Sequence, residues 1–391
     1  MIRMAIIAWP YIHYGGAERW WYYVLREFRR DTEISYYVVI PFSLHRGCLK
    51  CPKVLQSPNT IIIYLPPKRN LLLNLFSWFR ILIKLIKERN IDLIIAGYQT
   101  PRIVLVSLLT GVITKRRVFV MFNSPIGWLP YVRETKLNMA SKIMIKLYGI
   151  LNRHGLSYFI LCSPSVAYDL ERIHLKATKV CSVKGSAVIK PIEVTYKPYN
   201  VREIDIVYLA SISRSKGIYD VPLILKKVKE RIPNFKAVII GRISDDLEKE
   251  FREMLKSYRV ENNVTLLGYV DEIEKFELLG RSKVMIYPSY MDTFAIVVLE
   301  ALSVGTPVVA YGIPAIRINY RTNAVIPARI GDVNEVAEKA IKILDDEQYW
   351  VGLSIEAIAY ASTYSWNIIA RDFLKCIAKG VKGYEDLVYR S

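Results

Sequence analysis

Glutamine is nearly absent from this 391-residue chain, which holds only Gln56, Gln99 and Gln348. With abundant Tyr, Ile, Lys and Arg, that bias matches heat-adapted proteins. No run of 18 apolar, uncharged residues occurs, so no membrane-spanning helix is expected. The opening MIRMAIIAW meets Pro10 too soon for a secretory signal, and the expected location is the cytoplasm. No G-x-G-x-x-G follows the first apolar run, which argues against a dinucleotide cofactor. Acidic residues are scarce in one half only. Residues 1–190 carry 9 Asp and Glu against 28 Lys and Arg, whereas residues 191–391 carry 27 of each, so the whole net charge of +19 lies in the first half. Such asymmetry points to an anionic membrane surface, a phosphorylated or acidic acceptor, or nucleic acid. No nucleic-acid motif accompanies the charge, so a specific nucleic-acid partner is not expected.

Cysteine is also sparse, at five residues. Cys162, Cys181 and Cys376 stand alone in sequence and read as small core residues. Cys48 and Cys51 form a C-x2-C pair with His45 nearby, but a fourth ligand at zinc spacing is missing. A loop disulfide or free thiols is the expectation there, and no metal site is assigned.

What is present is a folding composition, 52% hydrophobic and 23% charged. The length implies two or three domains. Short apolar, β-branched runs at 3–9, 34–40, 60–65, 92–97, 116–122, 158–163 and 179–183 alternate with helical patterns such as 16–30, 71–89 and 136–152. The alternation restarts with strands at 203–210, 236–241, 263–268, 283–289 and 307–311, separated by helices at 218–231, 244–257, 294–304 and 332–345. Parallel strands need crossover helices, so this is an α/β chain of two doubly wound domains. Their expected bounds are 1–190 and 191–365, with a last helical segment at 366–391. The break falls in the aperiodic PIEVTYKPYNVRE at 191–203.

Open α/β sheets bind ligands beyond the carboxyl ends of their strands, so residues just after strands carry the chemistry. Gly15 and Gly16 follow the first strand and open a helix, where backbone can approach an anion. Lys216, in Ser213-Arg214-Ser215-Lys216-Gly217 after the strand IDIVYLA, can neutralise a diphosphate. The strongest motif runs from Tyr287 to Ala301. It passes from a strand through a loop bearing Asp292 into an apolar helix bearing Glu300. Its loop N–H groups favour a phosphate. Read plainly, Asp292 is a helix N-cap and Glu300 an exposed helix residue, yet a carboxylate in so apolar a helix is more often functional.

In these segments the chain resembles the retaining glycosyltransferases of family four, which have the GT-B fold of two Rossmann-like domains facing a cleft. The matching segments are Gly15 to Glu18, Ala210 to Gly217, Gly268-Tyr269-Val270, Asp292 to Ala301, Gly305 to Ala310 and Tyr364-Ser365-Trp366. The resemblance implies an acceptor domain first, a nucleotide-sugar domain second, and a C-terminal helix packing back on the first. It implies that Lys216 binds the donor diphosphate, Glu300 the ribose hydroxyls and Asp292 the donor sugar. The backbone of Phe294, Ala295 and Ile296 would lie near the phosphates, Tyr269 and Val270 near the base, and Gly16 would admit the phosphates to the first domain. Three positions depart from the pattern. Asp292 stands for a glutamate. Ser211 stands for the arginine that accompanies the lysine, leaving Arg214 or Arg242 to supply its charge. Asn123 stands for a first-domain histidine.

The implied reaction moves a sugar from a UDP- or GDP-sugar to an acceptor hydroxyl with retention, with no cofactor and no D-x-D metal cluster. Lys216, Asp292, Glu300 and Asn123 are its catalytic candidates. The rival readings are an inactive GT-B binding subunit, which the Ser211 and Asn123 departures favour, and another GT-B enzyme such as a sugar-nucleotide epimerase. The helix at 71–87 adds a membrane expectation. Asn74, Ser77, Arg80, Lys84 and Lys87 fall on one stripe, with Phe76, Trp78 and Phe79 on the apolar remainder. A peripheral position on an anionic membrane face and a lipid-linked or glycan acceptor would suit that helix.

Overall fold

The computed structural model describes residues 2–8, 16–29, 34–41, 60–65, 71–123, 146, 148–172, 175 and 177–381. Gly15, His45, Cys48 and Cys51 lie outside them. The described residues fall into two compact units, one running to Ser186 and resuming at Trp366, the other spanning Ala187–Ser365.

The first unit is built on a seven-stranded parallel sheet in the order β3-β2-β1-β4-β5-β6-β7. Its strands are β1 (Ile2–Ile7), β2 (Ile34–Pro41), β3 (Thr60–Leu65), β4 (Leu93–Ala96), β5 (Arg117–Phe122), β6 (Ser157–Leu161) and β7 (Val180–Ser182). Helices α1 (Gly16–Phe28), α2 (Leu71–Arg89), α3 (Pro101–Thr114) and α4 (Ser165–Arg172) make crossovers. The central strands are buried along almost their whole length, as parallel strands covered on both faces must be. That is why they read as continuous apolar runs.

The second unit repeats the plan with six parallel strands in the order β10-β9-β8-β11-β12-β13. These are β8 (Ile204–Leu209), β9 (Ala237–Ile240), β10 (Val264–Gly268), β11 (Ser282–Tyr287), β12 (Val308–Tyr311) and β13 (Val325–Ala328). Between and after them come α5 (Asp220–Arg231), α6 (Asp245–Ser257), α7 (Glu272–Gly280), α8 (Ile296–Ser303), α9 (Pro314–Asn319), α10 (Val333–Asp345) and α11 (Glu347–Ser362). Strand β13, the four residues VIPA at the sheet edge, is absent from the sequence reading. It is short, and its proline fits an edge strand better than a central one.

The last helix, α12 (Trp366–Gly380), belongs to the first unit and packs on α1. Trp366 stacks on Tyr23 at 4.7 Å, and Phe373 meets Trp20 and Trp21 edge-on, each at 5.5 Å. A disulfide joins Cys181 of β7 to Cys376 of α12, 195 residues apart. This corrects the reading of Cys181 and Cys376 as lone core residues. Each is isolated in sequence, and only the return of α12 to the first unit makes them neighbours. Cys162 is half-buried.

The break at 191–203 is also better anchored than an aperiodic linker. Arg202 is 2% exposed and donates to the carbonyls of Lys197, Ser282 and Val304 and to the Thr306 hydroxyl, all within 2.8 Å, while stacking on Trp350. Burial pulls its guanidinium down to about 10. Helix α2 is rotated from the expected stripe. Asn74 and Trp78 are buried, Phe79 is half-buried, and Leu73 and Phe76 face solvent beside Arg80, Lys84 and Lys87. Helix α2 packs on α3, and Leu82, Leu85 and Ile86 are buried with Trp78 while Leu73 and Phe76 stay outside.

Candidate functional site

In the second sheet the strand order reverses between β8 and β11, the point where an open α/β sheet leaves a crevice at its carboxyl edge. The loops leaving these two strands carry Lys216 and Asp292. Lys216 sits in a single 3-10 turn, Arg214–Lys216, closed by Gly217 in the left-handed region at φ 73°. A Cβ at Gly217 would overlap the Pro288 carbonyl, so glycine lets the two loops touch.

The contact between the loops is polar. Lys216 Nζ donates to Asp292 Oδ2 at 2.6 Å, to the Met291 carbonyl at 2.9 Å and to the Tyr287 hydroxyl at 3.4 Å. The Tyr287 hydroxyl in turn donates to Asp292 Oδ2 at 2.6 Å. The other carboxylate oxygen, Oδ1, accepts the N–H groups of Thr293, Phe294 and Ala295 at 2.7, 3.3 and 2.9 Å. Burial by itself would raise the Asp292 pKa. The Lys216 charge and hydrogen bond, the Tyr287 hydroxyl and the Ala295 N–H outweigh it and hold the carboxyl down to about 2. Burial, then Asp292, pushes the Tyr287 hydroxyl well up, so it stays a donor.

The loop is held from behind. Ala295 adopts φ 60°, a left-handed conformation rare for a residue with a side chain. Asn319 Nδ2 donates to the Thr293 carbonyl and the Tyr320 hydroxyl to the Ala295 carbonyl. The Phe294 ring is buried against Tyr320 and Tyr364, so only its backbone faces the loop interior. On the flank, Asp220 Oδ2 accepts from the hydroxyls of Tyr290 and Tyr311 at 2.5 and 2.7 Å, tying the loop to the end of β12.

Glu300, one turn into α8, points elsewhere. It is 2% exposed, and its Oε1 accepts from Lys275 Nζ of α7 at 2.8 Å. Lys275, itself buried, also pairs with Glu272 at 2.9 Å. Lys275 lies on the inward stripe of α7, four residues before the buried Leu279. A lysine on such a stripe is the sequence signal that would have found it.

The residues meant to supply the missing arginine do not join Lys216. Arg214 turns outward to Tyr219 and Glu250 of α6, and Arg242 stacks over the exposed Tyr269 ring at 4.6 Å. Ser211 is exposed and Val270 half-buried. In the first unit, Gly16 begins α1 and a Cβ there meets nothing within 4 Å. Asn123 directly follows β5, where its backbone N–H donates to Gln99 Oε1 and its Nδ2 to the Gly97 carbonyl. The carboxyl ends of β1, β4 and β5 thus bring Gly97 and Asn123 together. Sequence reasoning missed Lys275 and gave no role to Tyr287, Asp220, Tyr290 and Tyr320, whose roles arise from contacts between elements.

Residues 196–359 match the model of the family described as glycosyl transferases group 1. A phosphatidyl-myo-inositol mannosyltransferase of Mycolicibacterium smegmatis is 27% identical over 164 residues, 41% of each chain. This chain thus spans well under half of that relative's length. Sucrose-phosphate synthase of Thermosynechococcus elongatus superposes with a TM-score of 0.76 over 100% of both chains, at 16% identity. The Anabaena protein HepE, in complex with UDP and glucose, superposes with 0.72 over 97% of this chain and 99% of its own, also at 16% identity. These likenesses give both units the GT-B type of Rossmann-like sheet, and the segment 196–359 is similar to the glycosyl transferases group 1 family.

Proposed function

We propose that the chain transfers a sugar, with retention of anomeric configuration, from a nucleoside diphosphate sugar to an acceptor hydroxyl. The observation that carries this reading is the cluster of Lys216, Asp292 and the loop amides just before α8 at the reversal of strand order, inside the segment that matches the family. Cation and oriented amides together suit a departing diphosphate, whose charge grows in the transition state. The solved relative bound to UDP and glucose favours a UDP-sugar, with a GDP-sugar the next choice. Incubation with labelled UDP- and GDP-sugars and a hydroxyl acceptor tests this, with the product anomer read by NMR. An inverted anomer would overturn retention. Absence of transfer from every donor would favour the binding-subunit reading, to which Ser211 and Asn123 lean. Because Lys216 supplies the cation at the leaving group, transfer is expected to persist in excess chelator.

A lipid-linked acceptor on an anionic membrane face accords with the relative named for phosphatidyl-inositol and with the first unit's surface. Leu73 and Phe76 of α2 and Leu105, Leu109, Val112 and Ile113 of α3 are exposed on two helices that pack together. Arg80, Lys84, Lys87, Arg102, Lys115 and Arg116 are exposed on or beside the same helices. Apolar side chains to enter the interface and cations to meet lipid headgroups are what peripheral docking requires.

A further inference from the structure

The hydrogen bonds around Asp292 carry a consequence for donor binding. The groups suited to a donor phosphate are the Lys216 ammonium and the amides of Thr293, Phe294 and Ala295. A single carboxylate takes all four of them, with Oδ2 on the ammonium and Oδ1 on the amides. The remaining polar contacts of Lys216 go to Met291 and Tyr287, so its three N–H bonds are spent on the loop and the strand end before it. An aspartate suits this arrangement because its side chain is short. With one methylene fewer than glutamate, it folds back onto the amides of the three residues that follow it, as an N-capping aspartate does.

We propose that Asp292 is an internal anion that holds the donor-phosphate cradle, so that nucleotide binding proceeds by exchange of the diphosphate for the Asp292 carboxylate. The inference rests on the donor-site reading above and adds a mechanism of control to it. The diphosphate takes the ammonium and amides, and the released carboxylate is left within reach of the sugar the diphosphate carries. Two anions cannot share one cation and one set of amides without mutual repulsion, so the carboxylate lowers affinity for the diphosphate. Release of the diphosphate after transfer is correspondingly assisted, because the carboxylate returns to the cradle.

The test is calorimetric titration of the full chain with UDP, and with GDP in parallel. Asp292→Asn keeps an oxygen for the amides but removes the charge. It is expected to bind the nucleotide about tenfold or more tighter than the parent, while uridine, which has no phosphate, binds both equally. Asp292→Glu, which keeps the charge, gains no such affinity. Equal or weaker nucleotide binding by the folded Asp292→Asn variant overturns the proposal. So does an equal gain for uridine, because the effect would then lie outside the phosphates. If Asp292→Asn does not fold, Asp292→Ser retains a hydroxyl oxygen for the amides without charge and carries the same expectation. A parent chain that binds neither nucleotide would overturn the donor-site reading itself, a result distinct from binding that Asp292→Asn leaves unchanged.

Discussion

The ammonium of Lys216 and the carboxylate of Glu300 lie on elements that leave the same sheet edge, yet each has a different partner. Lys216 faces Asp292, and Glu300 faces Lys275. Lys216→Ala and Glu300→Gln are each expected to lower the rate of transfer at least tenfold. Loss of a charge-assisted hydrogen bond removes about 1.5–3 kcal/mol, enough for that drop. Steady-state rates of folded variants equal to the parent's would remove both residues from the reaction. Asp292 also makes a prediction in acid. Its folded pKa of about 2 lies below the ordinary 3.8, so its contribution to stability is complete above about pH 4 and disappears as pH falls through about 2. The melting temperature of the parent should therefore fall toward that of Asp292→Asn between about pH 4 and pH 2. Parallel curves for the two proteins would show that the Lys216 pair adds no folding stability.

Among the elements, α7 and α8 are joined by the buried Lys275–Glu300 pair. Removing one partner of such a pair leaves a charge in an apolar site and costs about 3–5 kcal/mol, whereas replacing both by apolar residues is close to neutral. Lys275→Met should thus lower thermal stability sharply, and Lys275→Met combined with Glu300→Met should restore most of it. A double variant no more stable than the single one would deny the coupling. Helix α12 is held by the Cys181–Cys376 bond, which closes a loop containing the whole second unit. In the chain-entropy account, a closure of that length adds up to about 5 kcal/mol. A protease cut anywhere between the two cysteines should leave fragments that travel together on a gel until reductant is added. Fragments that separate without reductant would show that the bond does not form.

The charge of the whole molecule is as uneven as its surface. All of the excess lies in residues 1–190, and the exposed apolar side chains of α2 and α3 stand among basic ones. Full-length protein should co-sediment with vesicles rich in anionic lipid, less so at high salt, and not with neutral vesicles. Replacing Phe76, Val112 and Ile113 by Ser should weaken that association about tenfold or more, since each buried apolar side chain contributes about 1.5–3 kcal/mol. The protein remaining in the supernatant at every lipid composition would assign the charge to a soluble acidic acceptor instead.

The two α/β series, the seven strands of the first unit and the loops bearing Lys216 and Asp292 were legible without coordinates. Buried parallel strands are near-continuous apolar runs, and residues after strands mark the ligand edge whatever the side chains do next. Other features come from tertiary structure alone. Cys181 meets Cys376 only because α12 returns to the first unit across 195 residues. Glu300 meets Lys275 only because α7 and α8 pack side by side. Trp78 turns inward, and Phe76 outward, because packing against α3 sets the rotation of α2, which helical periodicity leaves free. The sequence by itself determined most of the strands and helices and which loops after strands carry Lys216 and Asp292, because those follow from local patterns of polarity. Tertiary structure decided which charge answers which, because an ion pair or a disulfide depends on distances between elements that no local pattern encodes.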